Sequence, residues 1–390
     1  MQMQNQVIYV VNANVVLQDG ILSDGVIVIE NGKISRVCAR AEVQIPADAC
    51  TADANHAYVG PGFVDIHVHG ANGYCTCFAP EQAAEYFLKH GTTSFLGTPC
   101  YLMDKETILN AIASIRDAMK RCAQLKGIYM EGPFMNPAYG ADAASNPWCG
   151  KLSVQYCKDL IDACGTDVKV WAIAPELPDV LPFLTYAREV NPNVAIAVGH
   201  SEATPEQIRA LGQLRPTIHT HIMNATGRKK VPAGTRGCGP DEYALQQEEV
   251  YAELISDSCG MHVQPDLQRL ILHCKGADKV ILITDGTTEN NPALPQFAHI
   301  EDLNFDSNGE LSGSKMTMDM ACRNAVKNMH LDMVQAFLMA ATNPARAIGM
   351  DDTIGSIAVG KNADLVFVDE NFHVQQVMLG GVLQRENIYE

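Results

Sequence analysis

The stretch Val59-Gly-Pro-Gly-Phe-Val-Asp-Ile-His-Val-His-Gly70 decides the fold. A Gly/Pro turn opens it, a short apolar strand follows, and His67 and His69 stand two residues apart at its end. Side chains alternate along a strand, so both imidazoles point to one side and can offer two neutral nitrogens to one divalent ion. A His-x-His pair taken alone is more often packed or surface histidine than a metal site. What raises this one above that reading is that the arrangement recurs.

Outward from that stretch, apolar β-rich segments alternate with helical ones. The first strand ends at His67. The others are Gly91–Leu96, Lys126–Met130, Val168–Ala174, Val194–Val198, Thr217–Thr220, Val250–Ser256 and Lys279–Thr284, with helices predicted over Pro80–His90 and Lys105–Leu125. Eight near-continuous apolar strands separated by helices predict a parallel sheet, and eight units predict an α/β fold closed as a (β/α)8 TIM-like barrel. An open doubly wound sheet is the runner-up. The barrel is expected over residues 59–350. Before it, Val7–Val11, Val26–Glu30 and Lys33–Val37 read as strands, the last two joined by an Asn31-Gly32 hairpin turn. After the predicted barrel strands, Met316–Met329 and Met333–Ala341 read as helices. Ala363–Asp369, Val374–Leu379 and Gly381–Gln384 return to strands. Residues 1–58 and 351–390 are therefore expected to pair into one small β-sandwich domain built from both chain ends.

Four further candidate ligands each end an apolar run: Glu131 after strand three, His200 after strand five, His221 after strand six and Asp285 after strand eight. In a (β/α)8 barrel all these termini open onto one face, where barrel active sites lie. With His67 and His69 they make a nitrogen and oxygen set suited to one or two divalent ions. Zinc fits best, with iron, manganese or cobalt also compatible, and a Cys-rich structural zinc site does not fit. His219 alternates with His221 and reads as a packed, hydrogen-bonded residue. Glu176, in Ala-Pro-Glu, reads as a group behind the ligands. Cys75 and Cys77 could be soft ligands but read better as loop thiols beside a harder set. Gly234–Gly239 lacks the strand-to-helix context of a phosphate loop.

A net charge of -17 argues against nucleic acid and anionic membrane surfaces as partners, because a phosphate backbone would be repelled overall. A small anionic substrate remains compatible, since a local cationic pocket can outweigh the net field. No basic segment followed by an apolar core opens the chain, and no apolar run reaches membrane-spanning length. Thirteen cysteines is an odd number and none form CxxC pairs, as expected of thiols in a reducing compartment. A soluble cytoplasmic protein is the expectation.

Several segments carry a family resemblance. They are Pro61-Gly-Phe-Val-Asp-Ile-His-Val-His-Gly70, His90-Gly-Thr-Thr-Ser94, Glu131-Gly-Pro-Phe134, Ala174-Pro-Glu176, Gly199-His-Ser-Glu-Ala203, Thr220-His-Ile-Met-Asn-Ala225, Ala252-Glu-Leu-Ile255, Thr284-Asp-Gly286 and Asn343-Pro-Ala-Arg-Ala-Ile-Gly349. In these the chain resembles the N-acetylglucosamine-6-phosphate deacetylase family of the amidohydrolase superfamily, nearly end to end. The Glu-Gly-Pro segment discriminates, because hydantoinase-like relatives use a modified lysine where the deacetylases use this glutamate.

The resemblance implies that Glu131, His200 and His221 hold the principal metal. His67 and His69 would complete a second site in two-metal members. Asp285, also at the metal, would be general base and then general acid. His262 would orient the acetyl carbonyl, while Ala141, Asn224 and Ala225 would contact the sugar and Leu311, Ser312 and Gly313 would form a loop beside it. Arg236 would hold the phosphate. The reaction implied is loss of acetate from an N-acetyl amino sugar 6-phosphate, by a homodimer acting in amino sugar metabolism. The alternative is the same chemistry on an unphosphorylated N-acyl sugar or an N-acyl amino acid. A barrel kept only for binding is disfavoured by the complete set of chemical residues. The chain departs from the family at the substrate end: Arg236-Gly-Cys-Gly239 replaces Arg-Glu-Pro-Gly, Gly140-Ala-Asp142 replaces Gly-Ala-His, and two inserts carry Arg228-Lys-Lys230 and Ser258-Cys259. The first insert reads either as a cation cluster at the pocket mouth or as a solvated loop.

Overall fold

The computed structural model describes residues 7–140, 146–229, 232–288 and 294–384. Its centre is a sheet of eight parallel strands in strict chain order: Phe63–Asp65, Thr92–Gly97, Leu125–Glu131, Val168–Ile173, Ala195–Val198, Ile218–His219, Tyr251–Ile255 and Val280–Ile283. Unbroken order leaves no reversal point, which rules out the doubly wound alternative. The ends of the sheet meet where the Asp285 N–H donates to His67 O at 3.0 Å and the Thr284 hydroxyl donates to the Asp65 carboxylate at 2.5 Å. The result is a nearly closed (β/α)8 barrel.

The strand residues are apolar on both faces because both faces are buried. Tyr129, Val170, Ala172, Ala197, Ile281 and Ile283 pack inside the barrel. Their alternating neighbours Ile128, Met130, Trp171, Ile173, Ile196 and Val198 pack outward with the helices. The helix Lys105–Ala118 shows how the outer ring is made. The Asp104 carboxylate accepts the Thr107 N–H at 2.8 Å as N-cap, and Ile108, Ala111, Ile112, Ile115 and Ala118 form its buried face. It stops seven residues before the expected Leu125. Met119, Cys122 and Leu125 prolong the helical spacing in sequence, but Leu125 starts strand three and Gln124 O accepts the Phe95 N–H from strand two. The expected helix over Met333–Ala341 likewise divides, into Met333–Phe337 and a π-helical turn Leu338–Thr342, with Asn343–Ala347 continuing as α-helix.

Strands from the two chain ends form one mixed sheet beside the barrel. They join where Tyr58–Pro61 runs antiparallel to Leu365–Val368, with Pro61 opposite Leu365 and Tyr58 opposite Val368. On one side the sheet continues through Val7–Val16, Ile21–Glu30 and Lys33–Ala39, with Cys50–Asp53 also on Val7–Val16; on the other it continues through Val374–Leu379 and Val382–Leu383. Asn31 and Gly32 have φ of 52° and 74°, the double left-handed turn that matches strand twist in a two-residue hairpin. Among the described residues no helix is long and apolar enough to cross a membrane.

Candidate metal and catalytic site

Three of the ligand candidates depart from regular backbone as they leave their strands. His200, His221 and Asp285 take φ of 47°, 25° and 46°. Non-glycine residues held in that region cost about 1–3 kcal/mol each, and such strain gathers at functional sites. The bend turns each side chain into the barrel mouth. Glu131 comes straight off strand three, and Gly132 after it absorbs the turn with φ 113°.

The side chains converge on the Glu131 carboxylate. Its Oε1 lies 2.9 Å from His200 Nε2, 3.4 Å from His221 Nε2 and 3.6 Å from His67 Nε2; its Oε2 lies 3.3 Å from His69 Nε2. Asp285 Oδ1 lies 3.3 Å from His69 Nε2 and 3.8 Å from His67 Nε2. Two triads result, Glu131/His200/His221 and His67/His69/Asp285, each with ligand atoms within 4.8 Å of one another.

The far side of each imidazole decides whether this set fits a metal. His200 Nδ1 faces Tyr139 O at 2.6 Å, His221 Nδ1 faces Asn224 O at 3.0 Å and His69 Nδ1 faces Thr98 O at 2.9 Å. His67 Nδ1 faces Glu253 Oε2 at 3.2 Å. All four partners are acceptors, so each Nδ1 must carry hydrogen and each neutral ring presents its lone pair at Nε2. His200 Nε2 and His221 Nε2 then meet at 3.1 Å, lone pair against lone pair, which is repulsive without a cation between them. His67 Nε2 is buried and has no hydrogen-bond partner among the described residues. The donor set fits divalent metal, with nitrogen and carboxylate ligands of the borderline-to-hard kind.

Electrostatics agree. Burial opposes charge on His67, but the neighbouring Glu131 and Glu253 carboxylates outweigh it and lift its pKa to about 10. Burial likewise opposes charge on His69, and Asp285 and Glu131 raise it well above its ordinary value all the same. Glu131 and Asp285 are buried, which disfavours their anions, yet the imidazoles around them hold both well below the usual carboxylate range. The centre attracts positive charge, supplied by protons or by metal.

Above it opens a cavity of about 500 Å³, the size of a small-molecule site. Its walls include Asn224, Ala225, Leu311, Ser312 and Gly313, and its floor includes His69, Glu131, His200, His221 and Asp285.

The model of the amidohydrolase family matches residues 58–383. The chain belongs to the amidohydrolase family. It is 28% identical to an N-acetylgalactosamine-6-phosphate deacetylase of Escherichia coli O157:H7, over 94% of this chain and 96% of that one. It is 27% identical to an N-acetylglucosamine-6-phosphate deacetylase of Haemophilus influenzae, over 95% and 97%. The crystal structure of N-acetylglucosamine-6-phosphate deacetylase from Pasteurella multocida superposes with a TM-score of 0.85 at 25% identity, covering 97% of this chain and all of that one.

Not all of the expected residues of this amidohydrolase line the cavity. His67 is fully buried beneath the cavity floor. His262 is also buried and does not line the cavity: its Nδ1 meets Asp257 Oδ2 at 2.9 Å and its Nε2 donates to Gly313 O at 3.1 Å. It stands behind the Leu311–Ser314 strand, not in the opening. Arg236 is exposed and outside the lining, and Arg228 pairs with Glu242 at 2.7 Å. None of the described lining residues is a lysine or arginine. Ala141, Asp142 and Lys230 lie outside the described residues. His219 is held between Val198 O and Asp241 Oδ1, and Glu176 accepts from Ser201 Oγ and the Glu202 N–H just after His200.

Residues that sequence reasoning did not single out complete the site. Tyr101, Thr287 and Thr288 line the cavity. Glu253, which also accepts from the Tyr129 hydroxyl at 3.2 Å, was detectable as a lone carboxylate inside an apolar strand.

Proposed function

We propose that this amidohydrolase removes the acetyl group from an N-acetyl amino sugar 6-phosphate, N-acetylglucosamine 6-phosphate or a close relative such as its galactosamine epimer, releasing acetate and the amino sugar phosphate. The observation that carries the reading is the Glu131-centred pair of triads with Asp285 at the floor of a sugar-sized cavity. Glu131, His200 and His221 hold the principal ion, and His67, His69 and Asp285 hold a second; zinc is the ion we favour. When bound, such an ion supplies a Lewis acid and lowers the pKa of water toward neutrality.

Asp285, kept as the anion by the neighbouring imidazoles, accepts the proton of the attacking water on its carboxylate. It returns that proton to the departing amine nitrogen, which would otherwise leave as an unstable anion. Asn224 and Ala225 grip the sugar. Leu311, Ser312 and Gly313 form the wall against which the acetyl group is oriented, and His262 serves that wall through the Gly313 carbonyl. Arg236 meets the phosphate from its exposed loop, where a guanidinium can bind two oxygens at once. We take residues 59–350 as the catalytic unit and residues 1–58 with 351–390 as the β-domain. A homodimer and a cytoplasmic setting belong to the same reading, supported by the family resemblance and by thiols that are all free.

Relatives named for sugar phosphates disfavour an unphosphorylated N-acyl sugar or an N-acyl amino acid as substrate. The test is acetate release from N-acetylglucosamine and N-acetylgalactosamine, each with and without the 6-phosphate, and from an N-acyl amino acid. The phosphorylated sugars should have the higher kcat/KM. Arg236→Ala should lose about 2–5 kcal/mol of transition-state stabilisation on them and little on the neutral sugars. Wild type that prefers a neutral sugar or an N-acyl amino acid would overturn the proposal.

A further inference from the structure

Where the chain turns back after His69, two thiols flank one threonine. Cys75 lines the cavity, Cys77 is fully buried, and Thr76 between them is also fully buried. Thr76 is the support behind His69. Its N–H donates to His69 O at 2.9 Å, its hydroxyl reaches His69 O at 3.0 Å and Val68 O at 3.1 Å, and its Oγ1 accepts the Thr98 N–H at 3.2 Å. Thr98 in turn holds His69 Nδ1 through its carbonyl. The orientation of that imidazole is thus fixed by the residue between the two sulfurs.

The two thiols are linked through the turn between them: Cys75 Sγ accepts the Cys77 N–H at 3.4 Å. The turn is closed by Cys75 O, which accepts from the N–H groups of Phe78 at 3.2 Å and Ala79 at 2.7 Å. Hydrogen-bond donors beside a sulfur favour its thiolate, the nucleophilic form. Led by the Cys77 thiol and against its own burial, they bring Cys75 down to about 6. Cys77 has the opposite character, raised well above the ordinary thiol range chiefly by its bond to Cys75 and by burial.

We propose that Cys75 and Cys77 are a reversible redox pair: a hydroperoxide oxidises them to a disulfide, which displaces Thr76 and disables the His69 half of the metal centre. In the first step the Cys75 thiolate attacks the outer peroxide oxygen. The O–O bond breaks, and the leaving alkoxide or hydroxide takes a proton, giving Cys75 sulfenic acid and an alcohol or water. In the second step the Cys77 sulfur attacks the sulfenic sulfur, the S–O bond breaks, and the hydroxide leaves as water with the Cys77 proton. The two thiols lose two electrons in all and the hydroperoxide gains them. Sulfurs two residues apart must rotate toward each other to meet the specific torsion of a disulfide, and the backbone that moves with them is that of Thr76.

The experiment uses the intact metal-loaded enzyme with stoichiometric hydrogen peroxide, followed by peptide mass mapping and chelator competition for the bound metal. The expected result is a peptide in which Cys75 and Cys77 are joined, lighter by two hydrogens. The ion at the His67/His69 site should become at least about tenfold easier to strip, the usual cost of losing a group that orients a ligand, and dithiothreitol should reverse both changes. In Cys77→Ala, peroxide should stop at a Cys75 sulfenic acid that dimedone labels. Should wild type give no Cys75–Cys77 link while Cys75 remains alkylatable by iodoacetamide, the pair is not redox-active. A link that leaves chelator resistance unchanged would refute the coupling to His69. Both wild-type readouts stand whether or not the variant folds, and neither depends on which sugar is the substrate.

Discussion

Glu253→Gln tests the metal centre from behind. Glu253 is wholly buried, and its Oε2 accepts from His67 Nδ1 and from the Tyr129 hydroxyl, each at 3.2 Å. Of the four candidate ligand histidines, His67 alone has a carboxylate at Nδ1; His69, His200 and His221 have backbone carbonyls. Glutamine keeps the shape and one acceptor oxygen, so the imidazole can stay in place, but the negative charge that makes Nε2 a stronger donor is gone. Tyr129 still has Thr220 Oγ1 at 2.8 Å, so the substitution does not strand its hydroxyl. Removing a partner of this kind typically weakens metal binding 10- to 100-fold, about 1.4–2.7 kcal/mol. Because only His67 is touched, the loss should fall on the His67/His69/Asp285 ion and leave the Glu131/His200/His221 ion at its original affinity. Chelator titration of the variant, followed by elemental analysis, should therefore show one weakened ion and one unchanged. Two unchanged ions, or two weakened equally, would refute the division of the centre into these triads.

The other expectations follow from the same geometry. His200→Ala or His221→Ala should strip the principal ion, and elemental analysis showing unchanged metal content in both would remove those residues from the ligand set. Asp285→Asn should keep its fold while losing about 100- to 10,000-fold in turnover, since an amide cannot accept the proton; near-normal turnover at saturating substrate would move the base elsewhere, with Glu176 next to test. His67, lifted to about 10, has ion pairs in the metal-free chain that are complete below its unfolded value of about 6.5 and lost as pH rises through about 10. Protons therefore compete with metal below that upper limit, and apparent affinity for the second ion should climb at least about tenfold per pH unit from neutrality toward 9, since His69 is raised as well; a flat profile would contradict it.

The barrel was legible in the sequence because its strands are buried on both faces, which turns each into an apolar run that any ionisable residue visibly interrupts. That same contrast made Glu131, His200, His221 and Asp285 stand out as candidate strand-end ligands. Helix ends were less legible. Nothing in the spacing of Met119, Cys122 and Leu125 says that the chain leaves the helix at Ala118, because a helix face and a tight turn into a buried strand both ask for apolar residues. The partners of Nδ1 at His69, His200 and His221 could not be read at all, since a backbone carbonyl belongs to every residue. The direction in which His262 points depends on where a distant strand passes, and Gly313 lies 51 residues further along.

The shared carboxylate has a consequence that separate ligand assignments do not contain. Glu131 lies within 3.6 Å of all four Nε2 atoms, with one oxygen toward His200, His221 and His67 and the other toward His69. Its charge therefore serves both triads. A first ion neutralises part of that charge and places a like charge a few ångströms from the second site, so the second ion must bind more weakly than it would alone. The Asp285 carboxylate and the Glu253 carboxylate behind His67 lie on the second site's side and partly restore the attraction there. The centre is thus asymmetric by construction: one triad has a single carboxylate it must share, and the other has two more beside it. Occupancy of the second site depends on Asp285 and Glu253, and so on the residue we propose to carry the proton during hydrolysis.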